Sequence, residues 1–174
     1  MNNNVTITET RPYLTFKLDN EMFAIDVSQV REILNYMTIT KMPQMPDFMK
    51  GVINLRGSVV PVIDMRKKFG LDAKETDKDM VIVVMEIRFE QETAVLGGLV
   101  DSVQEVFELE PKDIEPAPRI GARLRNEFIK GMGKRDDKFL IILDIDKVFS
   151  TDELFIVQTA AEEGEADLQT DNQA

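Results

Sequence analysis

Phe48-Met49-Lys50-Gly51 opens a stretch that runs through Asn54-Leu55-Arg56-Gly57-Ser58 to Val59-Val60-Pro61-Val62-Ile63-Asp64. The same outline returns 80 residues later: Phe128-Ile129-Lys130-Gly131, a charged loop, then Phe139-Leu140-Ile141-Ile142-Leu143-Asp144. A second match lies upstream of each. Val27-Ser28-Gln29-Val30-Arg31-Glu32-Ile33 is echoed, at an offset of 73, by Val100-Asp101-Ser102-Val103-Gln104-Glu105-Val106. Two matches in the same order describe a duplicated unit, placed at about residues 12–75 and 78–155. A unit of roughly 70 residues has a marginal core when alone. The two units are therefore expected to pack on each other about a pseudo-two-fold axis, leaving a groove between them as a natural binding place.

Around the repeat the pattern is β-rich. Tyr13 to Leu18 alternates large and polar residues, Asp19-Asn20 supplies a turn, and Met22 to Val27 reads as the return strand. Met80 to Ile87, Thr93 to Val100 and Phe139 to Leu143 are further strands. Pro61 marks its own strand as an edge or a bulge. Helical signals are short: Asp64 to Phe69, Pro111 to Ile114, Leu124 to Phe128 and Asp146 to Phe149. The fold class read from this is all-β with short helices, built as small barrels or a sandwich.

Composition narrows the function. The 174 residues contain no His, Cys or Trp, and 21 basic residues stand against 32 acidic ones, a net charge of −11. No imidazole base, thiol nucleophile, disulfide or thiolate metal site can be built. The acidity argues against nucleic acid and anionic membranes as partners. No basic-apolar leader opens the chain, and the densest apolar run, Met80 to Met85, is far short of the roughly 20 residues that cross a bilayer. A cytoplasmic protein without direct membrane insertion is expected. Residues 1–11 read as a flexible terminus. Residues 156–174 read as a disordered acidic tail, with Glu162, Glu163, Glu165, Asp167 and Asp171 and no base from 160 onward.

Few motifs carry chemistry. Gly131-Met132-Gly133-Lys134 lacks the spacing of a phosphate loop. Asp144-Ile145-Asp146 reads as a strand end and helix cap rather than a metal site, so no metal or cofactor is expected. A carboxylate hydrolase would need Asp64, Asp101 and Asp144 at one cavity with a raised pKa. A nucleic-acid-binding pair of barrels would need Lys50, Arg56, Arg66, Lys67 and Lys68 in one patch. Val27 and Val30 fit one helical turn before an extended run, and the Glu32-Ile33 pair recurs as Glu105-Val106, which suggests a structural corner. Arg56 sits in a turn that Gly57 permits, either as a surface charge or as a bidentate partner of Glu32. The second copy has Lys134-Arg135-Asp136-Asp137-Lys138 there, so the two copies diverge at this spot.

Tyr13-Leu14-Thr15-Phe16, Val30-Arg31-Glu32-Ile33, the run from Phe48 to Gly57, Val60-Pro61-Val62-Ile63-Asp64-Met65-Arg66 and Val100-Asp101-Ser102-Val103 together resemble the CheW family, over about residues 12–155. The resemblance implies a fold of two SH3-like five-stranded β-barrels related by a pseudo-two-fold. It implies no enzyme activity but an adaptor of bacterial chemotaxis. The implied partners are the cytoplasmic hairpin tip of methyl-accepting chemoreceptors and the regulatory domain of the histidine kinase CheA, assembled in rings or arrays beneath the membrane. Relatives of this kind also serve pathways other than swimming. By motif, the receptor groove would use Val30, Glu32, Ile33, Arg56, Gly97, Val100, Val103 and Val106. The kinase contact would use Ile39, Lys50 and Val59, with a second contact near Pro116 to Ile120, centred on Ile120. The same fold occurs within CheA and CheV, whose kinase and receiver domains would need far more chain, so a stand-alone adaptor is expected.

Overall fold

A computed structural model describes residues 9–116 and 126–171. Among the described residues eleven strands run in chain order: β1 Arg11–Leu18, β2 Glu21–Asp26, β3 Val30–Asn35, β4 Met49–Leu55, β5 Ser58–Asp64, β6 Val81–Phe89, β7 Glu92–Val100, β8 Ser102–Leu109, β9 Ile114–Glu115, β10 Ile129–Arg135 and β11 Lys138–Leu143. Two one-turn helices, α1 Met65–Lys68 and α2 Ile145–Val148, follow β5 and β11, and α3 spans Thr151–Asp171. One curled sheet has the order β8-β1-β2-β11-β10-β9 and the other β3-β6-β7-β5-β4.

The repeat is real at the level of register. β4 pairs β5 with Met49 opposite Ile63 and a bulge before Gly51; β10 pairs β11 with Ile129 opposite Leu143 and a bulge before Gly131. The parallel contacts also correspond, Val62 beside Gly97 in one sheet and Ile142 beside Ala24 in the other. The division into barrels, however, differs from the 12–75 and 78–155 reading. Each sheet takes its first hairpin from the opposite repeat. Hairpin β1–β2 completes the sheet of β8 to β11, and hairpin β6–β7 completes the sheet of β3 to β5. The exchange is set at two short crossovers. Residues Val27–Gln29, a 3₁₀ turn capped by Asp26, carry the chain from β2 to β3. Asp101 alone carries it from β7 to β8. β5 lies inside its sheet rather than at an edge. Pro61 is tolerated because the parallel pairing with β7 begins only at Val62.

Three apolar clusters result. Ile53, Val60, Val62, Ile82 and Val84 fill one barrel; Tyr13, Ala24, Leu109, Leu140 and Ile142 fill the other. The largest cluster joins the two, with Phe16, Phe23, Phe69, Phe128 and Phe149 among its members. The pairs Phe48–Phe149 and Phe69–Phe128, with ring centroids 6.0 and 6.4 Å apart, are counterparts across the pseudo-axis. This shared core is why neither half needs to stand alone.

The segment expected to be a disordered tail is helical through Asp171. Leu154, Val157, Ala160 and Ala161 form a buried stripe on α3 against the shared core. Ser150 and Glu153 close a capping box, at 2.9 Å from Ser150 N to Glu153 Oε1 and 3.0 Å from Glu153 N to Ser150 Oγ. Two alanines in that stripe gave too little hydropathy to outweigh the acids in the sequence. Among the described residues no helix is long and apolar enough to cross a membrane.

Candidate functional site

The turn Leu55–Ser58 joins β4 to β5 with Arg56 at φ +49° and Gly57 at φ +87°. Asn54 Oδ1 accepts the Gly57 N–H at 3.0 Å and fixes it. Two positive φ values match the strand twist of a tight hairpin. The turn aims the Arg56 guanidinium at Glu32, on β3 just after a bulge at Arg31. Both nitrogens engage the carboxylate, Nη1 with Oε1 at 3.4 Å and Nη2 with Oε2. This settles the two readings of Arg56: it is a bidentate partner. The hydrogen bond that Arg56 donates to Glu32, together with the charge of that carboxylate, raises the Arg56 pKa. Beside it Arg31 holds Glu86, with Nε 2.6 Å from Oε1. Arg31, Glu32 and Arg56 line a cleft of about 370 Å³ together with Val59, Val60, Val84 and Val95. In the second copy Asp136 and Asp137 carry φ +48° and +63°, so the turn keeps its shape while the cation is replaced by an acid.

The remaining groove residues divide by burial. Ile33 and Val106 are 47% and 56% exposed. They are counterparts in the repeat, each just past a bulge on an edge strand. At the second bulge Thr15 satisfies the displaced backbone, its hydroxyl donating to the Glu105 carbonyl at 2.7 Å and accepting the Glu105 N–H at 3.0 Å. Val30 and Val103 are half-buried against the shared core. Gly97 and Val100 are buried on β7. A Cβ on Gly97 would sit 2.8 Å from Ile82 Cγ2, so this residue shapes the barrel from inside and presents no surface.

Three of the residues expected at a kinase contact lie on or beside the β4–β5 hairpin. Ile39 packs over Gly51 beside the bridge Thr40–Val52. Lys50, on the β4 bulge, shares a small cleft with Asp64, Arg66 and Asp101. Val59 lies at the turn end of β5, in the Arg56 cleft. Ile120 lies outside the described residues.

A feature the sequence did not reveal is the buried cation Arg66 on α1. Its Nε and Nη2 fork onto Asp101 at 2.8 and 2.6 Å, Nη2 also meets Asp19, and Nη1 donates to the Asp72 carbonyl at 2.8 Å. Asp101 Oδ2 further accepts the Asp19 N–H at 2.8 Å. Partners 35 and 47 positions away in sequence leave no local pattern to read. Burial alone would raise the Asp101 pKa. The hydrogen bonds from Arg66 and Asp19 and the Arg66 charge outweigh it and hold the carboxyl below the usual range. That is the opposite of what a general acid requires, and Asp64 is occupied in accepting the Lys67 N–H. Arg56, Arg66 and Lys68 are each ion-paired, so they do not combine with Lys50 and Lys67 into a free basic patch. Lys68 lies over the rings of Phe48, Phe149 and Phe128, at 5.0, 5.3 and 5.6 Å, with its ammonium on Glu153 Oε2 at 2.8 Å. Among the described residues no group of three potential metal ligands converges.

A pH prediction follows from two depressed carboxyls, Asp101 and Glu153; for Glu153 burial is again outweighed, here by Lys68 and the Ser150 N–H. A native pKa below the unfolded value contributes stability that is present above the unfolded pKa. It is lost as the pH falls through the native one. Urea unfolding midpoints should therefore hold between pH 6 and about 5, then fall below about pH 4, the ordinary carboxylate range. In Asp101→Asn the acid limb of that profile should be shallower; an unchanged limb contradicts the assignment.

Residues 12–153 match the family model of the CheW-like domain. The chain is 38% identical over 154 residues to the chemotaxis protein CheW of Klebsiella aerogenes, covering 88% of this chain and 90% of that one. It is 32% identical over 136 residues to the CheW of Bacillus subtilis, covering 78% and 84%. The crystal structure of the scaffolding protein TtCheW from Thermoanaerobacter tengcongensis superposes with a TM-score of 0.73 at 35% identity, covering 83% of this chain and 95% of that one. The duplicated β-unit, the two joined barrels and the sequence matches agree, and the chain belongs to the CheW-like domain family.

Proposed function

We propose that this protein is a chemotaxis adaptor that couples chemoreceptors to a histidine kinase. The receptor element is the cytoplasmic hairpin tip of a methyl-accepting chemoreceptor, and the kinase element is the regulatory domain of CheA. The observation that carries the reading is the pairing of exposed Ile33 and Val106 on the two edge strands with the Arg56–Glu32 fork at the rim. Large apolar side chains kept at the surface beside a fixed ion pair suit an amphipathic helix laid into a groove. Each is only about half exposed, so covering it on docking contributes about 0.7–1.5 kcal/mol before the costs of association. In this reading Val30 and Val103, both half-buried, serve as the groove wall.

The kinase domain is assigned to the first barrel's outer surface around Ile39, Lys50 and Val59, with Ile120 as a second contact. Holding receptor and kinase on one body raises their mutual concentration to the order of millimolar. Ring or array assembly then lets many weak contacts act together. The protein would sit beneath membrane receptors through these partners alone. Regulation requires that receptor docking favour one kinase state; a coupling of about 1–3 kcal/mol is typical.

The test is Val106→Asp. Placing a carboxylate in the apolar docking surface should weaken binding of a receptor hairpin fragment by about tenfold or more. Fold stability should hold, since Val106 is 56% exposed. Binding equal to that of the unmodified protein would contradict the groove.

A further inference from the structure

Arg66 and Asp146 are counterparts, 80 residues apart, each the second residue of its one-turn helix. Each reaches the place where the chain crosses from one sheet to the other. Arg66 holds Asp101, the single residue between β7 and β8, together with Asp19 in the β1–β2 turn. Asp146 Oδ1 accepts from Gln29 Nε2 at 2.9 Å, in the crossover between β2 and β3, and from the Arg88 N–H at 2.9 Å. Val30 pairs with Met85 and Val103 with Phe16, which makes Phe16 and Met85 counterparts and, three residues on, Asp19 and Arg88. The two contacts are thus one device built twice. In the first a cation grips two acids; in the second an acid grips an amide and a peptide N–H.

The strands that leave these crossovers are β8 and β3, each the last strand of its sheet. An edge strand is hydrogen-bonded on one side only, so its start is free to shift unless tied elsewhere. Val103 lies two residues beyond Asp101, and Val30 lies one residue beyond Gln29. Arg66 itself is buried, 7% exposed, and does not face a docked partner. We infer that Arg66 and Asp146 are paired positioning residues for the docking groove. Arg66 sets the lip that carries Val103 and Val106, and Asp146 sets the lip that carries Val30, Glu32 and Ile33. The inference rests on the adaptor reading of that groove.

The test uses the full chain with valine and isoleucine methyls observed by NMR, and separate binding measurements with a receptor hairpin fragment and the CheA regulatory domain. Asp146→Ala should shift the methyls of Val30 and Ile33. Arg66→Lys, which keeps the charge and loses the fork, should shift those of Val103 and Val106. Both should leave the Val59 methyls in place. Each should weaken the receptor fragment by about five- to tenfold, and Asp146→Ala should change kinase-domain binding by less than about twofold. Asp101→Asn provides the same reading if Arg66→Lys does not melt cooperatively. Loss of receptor binding in Val106→Asp with none in the clamp variants overturns the inference and leaves the groove standing. Unchanged receptor binding in all of these variants overturns the groove and the inference with it.

Discussion

Gly51→Ala is expected to cost about 3 kcal/mol or more of folding stability, the largest effect expected among the described glycines. Gly51 has φ +151°, and a Cβ there would lie 2.2 Å from the Thr40 carbonyl oxygen and 2.8 Å from Ile39 Cγ2. The oxygen cannot swing aside. It accepts the Val52 N–H at 2.8 Å, while Thr40 N donates to Val52 O at 2.9 Å. The clash is therefore with backbone locked in a bridge, at the bulge that lets β4 bend. Gly57→Ala makes the contrast: its φ is +87° but nothing lies within 4 Å of the added Cβ, so only conformational strain of about 1–2 kcal/mol is expected. Urea midpoints at constant slope measure both. A Gly51→Ala variant within 1 kcal/mol of the unmodified protein would show that the segment at Thr40 does not lie where it is described.

Arg56→Glu should have the largest functional effect. The substitution sets a second carboxylate against Glu32 at the groove rim, replacing a bidentate attraction with repulsion. Arg56 has 71% of its side chain exposed, so solvent screens the pair and it contributes little to the fold. The thermal midpoint should move by only a few degrees. Receptor-fragment binding should fall about thirtyfold or more, because the rim that orients the docked helix now repels its own wall. Kinase-domain binding is the control, since Val59 lines the same cleft. A loss of kinase-domain binding equal to the loss of receptor binding would assign the cleft to the kinase instead.

Much of this was legible in the residues. The offset of 80 located β4–β5 and β10–β11, their turns and the helices that follow them, because a hairpin carries its whole specification within about 15 residues. The offset of 73 located the two corners, at Glu32-Ile33 and Glu105-Val106, which the structure shows to be bulged. What the repeat could not say was which hairpin joins which sheet. Identical units can pair with themselves or exchange, and the decision lies in crossovers of one and three residues, Asp101 and Val27–Gln29. Charge and turn chemistry left Arg56 as either a surface charge or a partner of Glu32, and the fork shows the second. Gly97 and Val100 came with the family motif, and motif membership does not distinguish a surface residue from one that shapes the surface from inside. Arg66 looked like one base in a run of three, Arg66-Lys67-Lys68, two of which are buried in separate ion pairs. α3 escaped because its buried stripe is half alanine within an acidic segment.

The central claim is that the two barrels form one body on which receptor and kinase are held together. Sedimentation of a receptor hairpin assembly with CheA, with and without this protein, tests it most directly, with kinase phosphorylation followed in the same samples. The account predicts that CheA enters the receptor pellet only when the protein is present, that phosphorylation changes several-fold on its addition, and that Arg56→Glu abolishes both. CheA pelleting to the same extent without the protein, or a phosphorylation rate indifferent to it, would contradict the account.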